Sequence, residues 1–278
     1  MLTLGTVSSA RHYDEVVSAW SILLGSNLHY GYFETGEETL DEATACLTER
    51  MLDLPGALGP SARVLDVGCG TGRPAVRMAR RFGCTVVGIS PSQACVRGAR
   101  DAMPKDVVRP IDFQVGDAQA LQFGDQSFDV AWAIESSHLI LDKPRLFSEA
   151  RRVLKPGGCL ALCDIVVQAE LGMEDVIARR DDFLLLNQVF GRAMMKTPRY
   201  YAEEAARHGF VVDTRADITS QTAPTFDRWK RNASVFRDEV VGRFGEPSWK
   251  AFDDSIAVLK RFWEEGVLGY FMMAARRE

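Results

Sequence analysis

The sequence predicts an α/β fold, a doubly wound, mostly parallel seven-stranded sheet with helices on both faces and a helical cap. Two observations carry that reading. From residue 62 onward, short apolar strands alternate with helical stretches, the pattern of βαβ units with right-handed crossovers. The first of those strands, Val64-Leu65-Asp66-Val67, runs straight into a turn with glycines at 68, 70 and 72 and leaves it as a helix. At 278 residues the chain has room for one such core with substantial insertions.

Each element has its own signal. Residues 9–54 read as helical, with starts at Ser9 and Asp41 and with Leu40, Ala43, Leu47 and Met51 at helix spacing. Gly56, Gly59 and Pro60 break the chain, so residues 1–60 are expected to form an N-terminal lid and 61–278 the core. Strands follow at 63–68, 84–89, 111–115 and 128–134, with helices at 73–82 and 92–103. A helix at 145–154 leads through a Lys155-Pro156-Gly157-Gly158 turn into a strand at 159–167. Residues 200–208 read as a helix closed by Gly209, with His208 as a partner for the helix dipole. Strands at 210–217 and 267–275 complete the sheet. Helical inserts at 168–197 and 224–264, rich in Phe, Leu, Met and Trp, are expected to form the cap.

Composition narrows the function classes. The net charge is −5, with 46% hydrophobic and 26% charged residues, an ordinary globular balance. The short basic runs at Arg80-Arg81 and 228–231 read as solvated helix faces, so no nucleic-acid partner is expected. Residues 1–14 lack the apolar core of a secretory signal, and no apolar run approaches the roughly 20 residues of a membrane helix. Six scattered cysteines form no C-x-x-C pair and read as reduced thiols of a cytoplasmic protein, without a metal site. Homo-oligomerisation stays open.

Glycine in the strand–helix turn permits positive φ and lets a ligand lie against bare backbone, at the carboxyl ends of the strands where open α/β sheets bind ligands. A dinucleotide turn would place its third glycine at Arg73, but it falls at Gly72, and the Lys-Ser/Thr of a phosphate-binding loop is absent. An NAD-dependent oxidoreductase is thereby disfavoured.

The turn resembles the first motif of the class I S-adenosylmethionine-dependent methyltransferases, whose fold is a Rossmann-like core. Three further motifs fall in the family's order over residues 62–167: Gly116-Asp117-Ala118-Gln119 after the third strand, 128–135 at the fourth, and 154–158 before the fifth. The resemblance implies S-adenosyl-L-methionine as cofactor, with S-adenosyl-L-homocysteine as product. Asp66, Gly68, Cys69, Gly70 and Gly72 would lie against its methionine and ribose portions. Asp117 would accept from the adenine amino group, with Ala118 and Gln119 beside the ring; Ile134, Glu135 and Tyr13 would also approach the cofactor. The family's acidic residue at the end of the second strand is missing from Ile89-Ser90-Pro91-Ser92, leaving Ser90 or Ser92 to meet the ribose; both serines also suit helix N-capping.

Glu135-Ser136-Ser137-His138, followed by Asp164, is similar to small-molecule methyltransferases of the sugar and natural-product type, such as the rebeccamycin sugar O-methyltransferases. The resemblance makes His138 the general base and Asp164 its support, and implies a small-molecule acceptor from secondary metabolite biosynthesis. The chemistry is coherent, because imidazole titrates near neutral pH and a neutral hydroxyl is a poor nucleophile. His29, Tyr32, Phe183 and Tyr200 join His138 as acceptor-binding candidates. O-methylation leads, N- and C-methylation (including a prenyl-type acceptor) remain open, and a cofactor-binding regulator without chemistry is the non-enzymatic alternative.

Overall fold

The computed structural model describes residues 21–106 and 110–278. Tyr13 and the helix start at Ser9 lie outside the described residues. Helix α1 (Leu40–Asp53) begins at a capping box in which Thr39 accepts from the Glu42 backbone and Glu42 reaches back. The segment 24–39 before it is not helical as the sequence reading has it. Its backbone donors go to distant partners: Gly31 N donates to Thr225 Oγ1, Tyr32 N to Ala43 O and Phe33 N to Gln221 O. Tertiary contacts thus override the helical pattern.

The core then alternates. Strand β1 (Arg63–Val67) is followed by α2 (Arg73–Phe82), β2 (Thr85–Ser90), α3 (Gln93–Asp101), β3 (Ile111–Val115) and β4 (Phe128–Ile134). A 3₁₀ turn (Ser137–Leu139) leads to α4 (Lys143–Val153), capped by Asp142, and β5 (Leu154–Val167). Next come α5 (Met173–Ala178), α6 (Arg180–Phe190), α7 (Pro198–Arg207) and β6 (Phe210–Asp217). Then α8 (Thr219–Thr222), α9 (Thr225–Val235), α10 (Arg237–Phe244) and α11 (Glu246–Glu264) precede β7 (Leu268–Arg277).

The seven strands lie in the order β3-β2-β1-β4-β5-β7-β6, parallel except for β7, which runs antiparallel to both of its neighbours. Sheet residues alternate between two cores. Val64, Phe113, Trp132 and Tyr270 face one, and Leu65, Phe128, Leu162 and Phe271 face the other, where α4 and α7 pack. The expected Lys155–Gly158 turn is instead part of β5, which pairs from Leu154 opposite Phe128 and resumes at Cys159 opposite Val130. A left-handed Gly157 (φ 75°) sits in this bulge. The insert at 168–197 holds two helices followed by an irregular stretch at 191–197, and 224–264 holds three helices. No disulfide joins the six cysteines, all of which are among the described residues, and among the described residues no helix is long and apolar enough to cross a membrane.

Candidate active site

The parallel strands end on one side of the sheet. The order reverses between β1 and β4, where the crevice of an open α/β sheet opens, and two cavities meet there. The first, about 280 Å³, is bordered by Gly68, Gly70, Ser90, Asp117, Ala118, Gln119, Ile134 and Glu135. The second, about 330 Å³, is bordered by His138, Phe183, Met194, Met195 and other mostly apolar residues of β5, α6 and α11. Leu28 and Glu135 border both.

The glycine turn is shaped by two tight demands. Gly68 has φ 85°, and a Cβ there would come within 2.4 Å of Ser136 Cβ. Ser136 needs that place because its hydroxyl donates to Val67 O at 2.6 Å. Gly70 (φ 50°) faces open space, its nearest neighbour being Gly68 O at 4.0 Å from an ideal Cβ. A ligand can therefore lie on bare backbone.

Asp66 sits behind this turn, beside a smaller cavity of about 40 Å³ that it shares with His29, Cys69 and Gly70. Its Oδ1 accepts from Trp132 Nε1 at 2.8 Å, and its Oδ2 is buried without a partner among the described residues. Burial raises its pKa to about 7, against the indole hydrogen bond, which lowers it. An unpaired buried acceptor is costly, about 1–3 kcal/mol, unless a ligand or water satisfies it. Asp117 Oδ1 accepts from Gln119 N at 2.8 Å, and a carboxylate so held has further lone pairs for an amino donor. Bare glycines, a partnerless carboxylate oxygen and an outer carboxylate above an apolar slot fit a cationic amino-acid nucleoside such as S-adenosylmethionine.

Other expected residues fall elsewhere. Ser92 borders neither large cavity; it caps α3, accepting from Cys95 N at 3.0 Å. Gly72 packs against Phe113. His29 has both ring nitrogens engaged, Nδ1 with Tyr30 O at 2.8 Å and Nε2 with Thr48 Oγ1 at 3.3 Å. Burial lowers its pKa to about 4, so it is held neutral behind the turn and outside the second cavity. Tyr32 lies under the Arg50 guanidinium and Tyr200 under Lys196, and neither borders that cavity. Phe183 does border it.

His138 and Asp164 are brought together. His138 Nδ1 meets Asp164 Oδ1 at 2.6 Å, and the His138 backbone N–H donates to Oδ2 at 2.8 Å. Asp164 also accepts from Ser137 Oγ at 2.5 Å and Ile165 N at 2.8 Å, and Ser137 Oγ lies 2.8 Å from Tyr201 Oη. Burial pushes the Asp164 pKa up, but His138 and these hydrogen bonds outweigh it and hold the carboxyl below its ordinary value. With Nδ1 engaged, Nε2 is the nitrogen left to the cavity.

Residues missed by sequence reasoning include Tyr30 and Tyr270. Tyr30 N and Tyr270 Oη donate to Glu135 Oε1 at 2.6 and 2.7 Å. Tyr30 stands in the Leu28-His29-Tyr30-Gly31-Tyr32 run, so an aromatic signal was present; Tyr270, in the last strand, gives none.

This fold and site define a class I methyltransferase scaffold with a hydrogen-bonded His138–Asp164 pair beside a mostly apolar pocket. The comparisons agree. The methyltransferase domain family model matches residues 65–162. The chain is 33% identical over 270 residues to 27-O-demethylrifamycin SV methyltransferase of Amycolatopsis mediterranei, covering 95% of each chain. It is 31% identical to O-methyltransferase resE of Aspergillus sclerotiorum, covering 95% of each. It also superposes on the crystal structure of the [4+2]-cyclase SpnF with TM-score 0.81 and 28% identity, covering 96% of this chain and 94% of that one. The chain belongs to the S-adenosylmethionine-dependent methyltransferases of the small-molecule, natural-product type, and its cofactor is S-adenosylmethionine.

Proposed function

We propose that the chain O-methylates a neutral, largely apolar natural-product alcohol, with His138 as general base and Asp164 as its positioning partner. The observation that carries this is the dyad, whose histidine borders a cavity with a mostly apolar wall. Among the described residues bordering it, Glu135 and His138 are the only carboxylate or imidazole groups, and there is no lysine or arginine. A phosphate or carboxylate on the acceptor would be buried without a counter-charge, which is strongly unfavourable. A cavity of about 330 Å³ lies within the range for small organic ligands.

S-adenosylmethionine supplies an electrophilic methyl carbon and leaves as the neutral thioether. The protein's residues do the rest. Gly68, Gly70, Asp66 and Asp117 hold the donor, while Leu28, Phe183 and the methionines at 194 and 195 position the acceptor. His138 Nε2 takes the hydroxyl proton as the oxygen–carbon bond forms. Asp164 fixes the tautomer by accepting at Nδ1 and stabilises the imidazolium until it returns its proton to solvent.

Replacement of His138 by Ala tests the assignment. We expect kcat to fall by ~10²–10⁴, the usual worth of general-base help, with cofactor Kd within about twofold of wild type. Unchanged turnover would remove His138 from the mechanism. The similarity to a [4+2]-cyclase favours one rival, a non-methylating use of the same pocket. That rival predicts a product of the acceptor's own mass, with no S-adenosylhomocysteine formed.

A further inference from the structure

Glu135 is the one ionisable side chain, among the described residues, that borders both cavities. Its backbone is left-handed (φ 47°), a conformation that costs a non-glycine residue energy and persists where the surroundings enforce it. The carboxylate is held by Tyr30 N at 2.6 Å and Tyr270 Oη at 2.7 Å, and neither partner is a cation. The other titratable groups near it are Cys163 and Asp164 on β5 and His138, which is paired with Asp164. Among the described residues this carboxylate has no lysine or arginine partner, and it stands at the junction where donor and acceptor must meet.

Resting on the methyltransferase reading, we infer that Glu135 recognises the positive charge of the donor's sulfonium, so that the site holds the charged donor and releases the uncharged product. S-adenosylmethionine and S-adenosylhomocysteine share adenine, ribose and amino acid and differ in the sulfonium methyl and its charge. Groups that meet the shared parts, Asp117 among them, cancel in the ratio of the two dissociation constants. Glu135 does not cancel. Without a donor, burial raises its pKa to about 8, while the hydrogen bonds from Tyr270 and Tyr30 lower it and Asp164 raises it. A cation beside it favours the ionised form. Donor binding should therefore expel a proton below pH 8 and product binding should not.

Calorimetry with each ligand, on the full chain from pH 6 to 8.5, tests this. We expect the Kd ratio of product to donor to be at least roughly tenfold greater at pH 8.5 than at pH 6, because an opposite charge nearby moves a carboxyl by about one to three pKa units. In Glu135→Gln, whose amide oxygen still accepts from Tyr30 and Tyr270, the ratio should lose that excess and its pH dependence, with product affinity kept. Retained product binding also shows that the variant folds. Tyr270→Phe removes a donor to the ionised carboxylate and should move the midpoint of the ratio curve to higher pH. His138→Ala should leave the curve in place; if it flattens the curve while Glu135→Gln does not, the charge sensor is His138 and the inference is overturned. Donor and product that bind with a ratio unaffected by Glu135→Gln overturn it as well. If neither ligand binds the wild type, the methyltransferase reading itself fails.

Discussion

At the scale of single residues, the site is a set of carboxylates given different tasks by their neighbours. Asp164 is met by three hydrogen-bond donors and an imidazole, which hold its carboxyl below its ordinary pKa. In Asp164→Asn, one amide position must point N–H groups at donors. We expect kcat to fall at least as far as in His138→Ala, and thermal stability to drop by about 1–3 kcal/mol, the usual result of an unsatisfied buried donor. Among the described residues Asp66 and Glu135 have no cationic partner, and burial raises their pKa values to about 7 and about 8. The sign follows from linkage. The folded state binds these protons more tightly than the unfolded chain, so stability is fully present at low pH and declines as pH rises through the folded values. His29, held at about 4, acts oppositely, gaining stability up to its ordinary value near 6.5. Between pH 6.5 and 8 the cofactor-free protein should thus lose melting temperature, and Glu135→Gln should lose less; a flat profile in both would contradict the burial of these two carboxyls. His138 and Asp164 are legible as a neighbouring pair because one follows β4 and the other lies near the end of β5, each next to a recognisable motif. The grip of Tyr30 and Tyr270 on Glu135 spans 105 and 135 residues, and nothing local in the chain signals a contact that only the folded segment before α1 and the last strand create.

Among the elements, the turn after β1 has the least tolerance for change. Gly68→Ala would combine a left-handed backbone with a 2.4 Å clash against Ser136. We expect it to destabilise the protein by about 1–3 kcal/mol and to weaken cofactor binding; denaturant unfolding and calorimetry measure both. Its spacing was readable because glycine is the residue that such backbone demands. The cap was read less well. Residues 24–39 carry apolar residues at helix spacing, yet N–H groups at 31–33 bond to Ala43, Gln221 and Thr225, a choice made by contacts with α1, α8 and α9. Helix α6 contributes Phe183, half-buried and 5.3 Å from the Phe262 ring. Phe183→Ala should raise the acceptor KM several-fold and leave the cofactor Kd unchanged, since this residue borders the second cavity alone. A matching rise in cofactor Kd would show that the two cavities are not separable.

For the whole molecule, function follows from where the strand order turns back. β1 and β4 are parallel neighbours, the glycine turn follows one and the 3₁₀ segment the other, and β5 delivers Asp164 to His138 of that segment. The alternation of strands and helices announced this core. The antiparallel β7 between β5 and β6 was not legible, because a buried strand of either direction has the same apolar pattern. It matters to the site, since β7 carries Tyr270 to Glu135. Donor and acceptor cavities joined at one carboxylate, with a dyad on the acceptor side, form a site for moving a methyl group to a hydroxyl. The most direct test is mass spectrometry of neutral apolar alcohols incubated with the protein and S-adenosylmethionine. The account predicts an acceptor heavier by one methylene, with one S-adenosylhomocysteine per product. An acceptor converted without change of mass, or cofactor bound with no alcohol methylated, would contradict it.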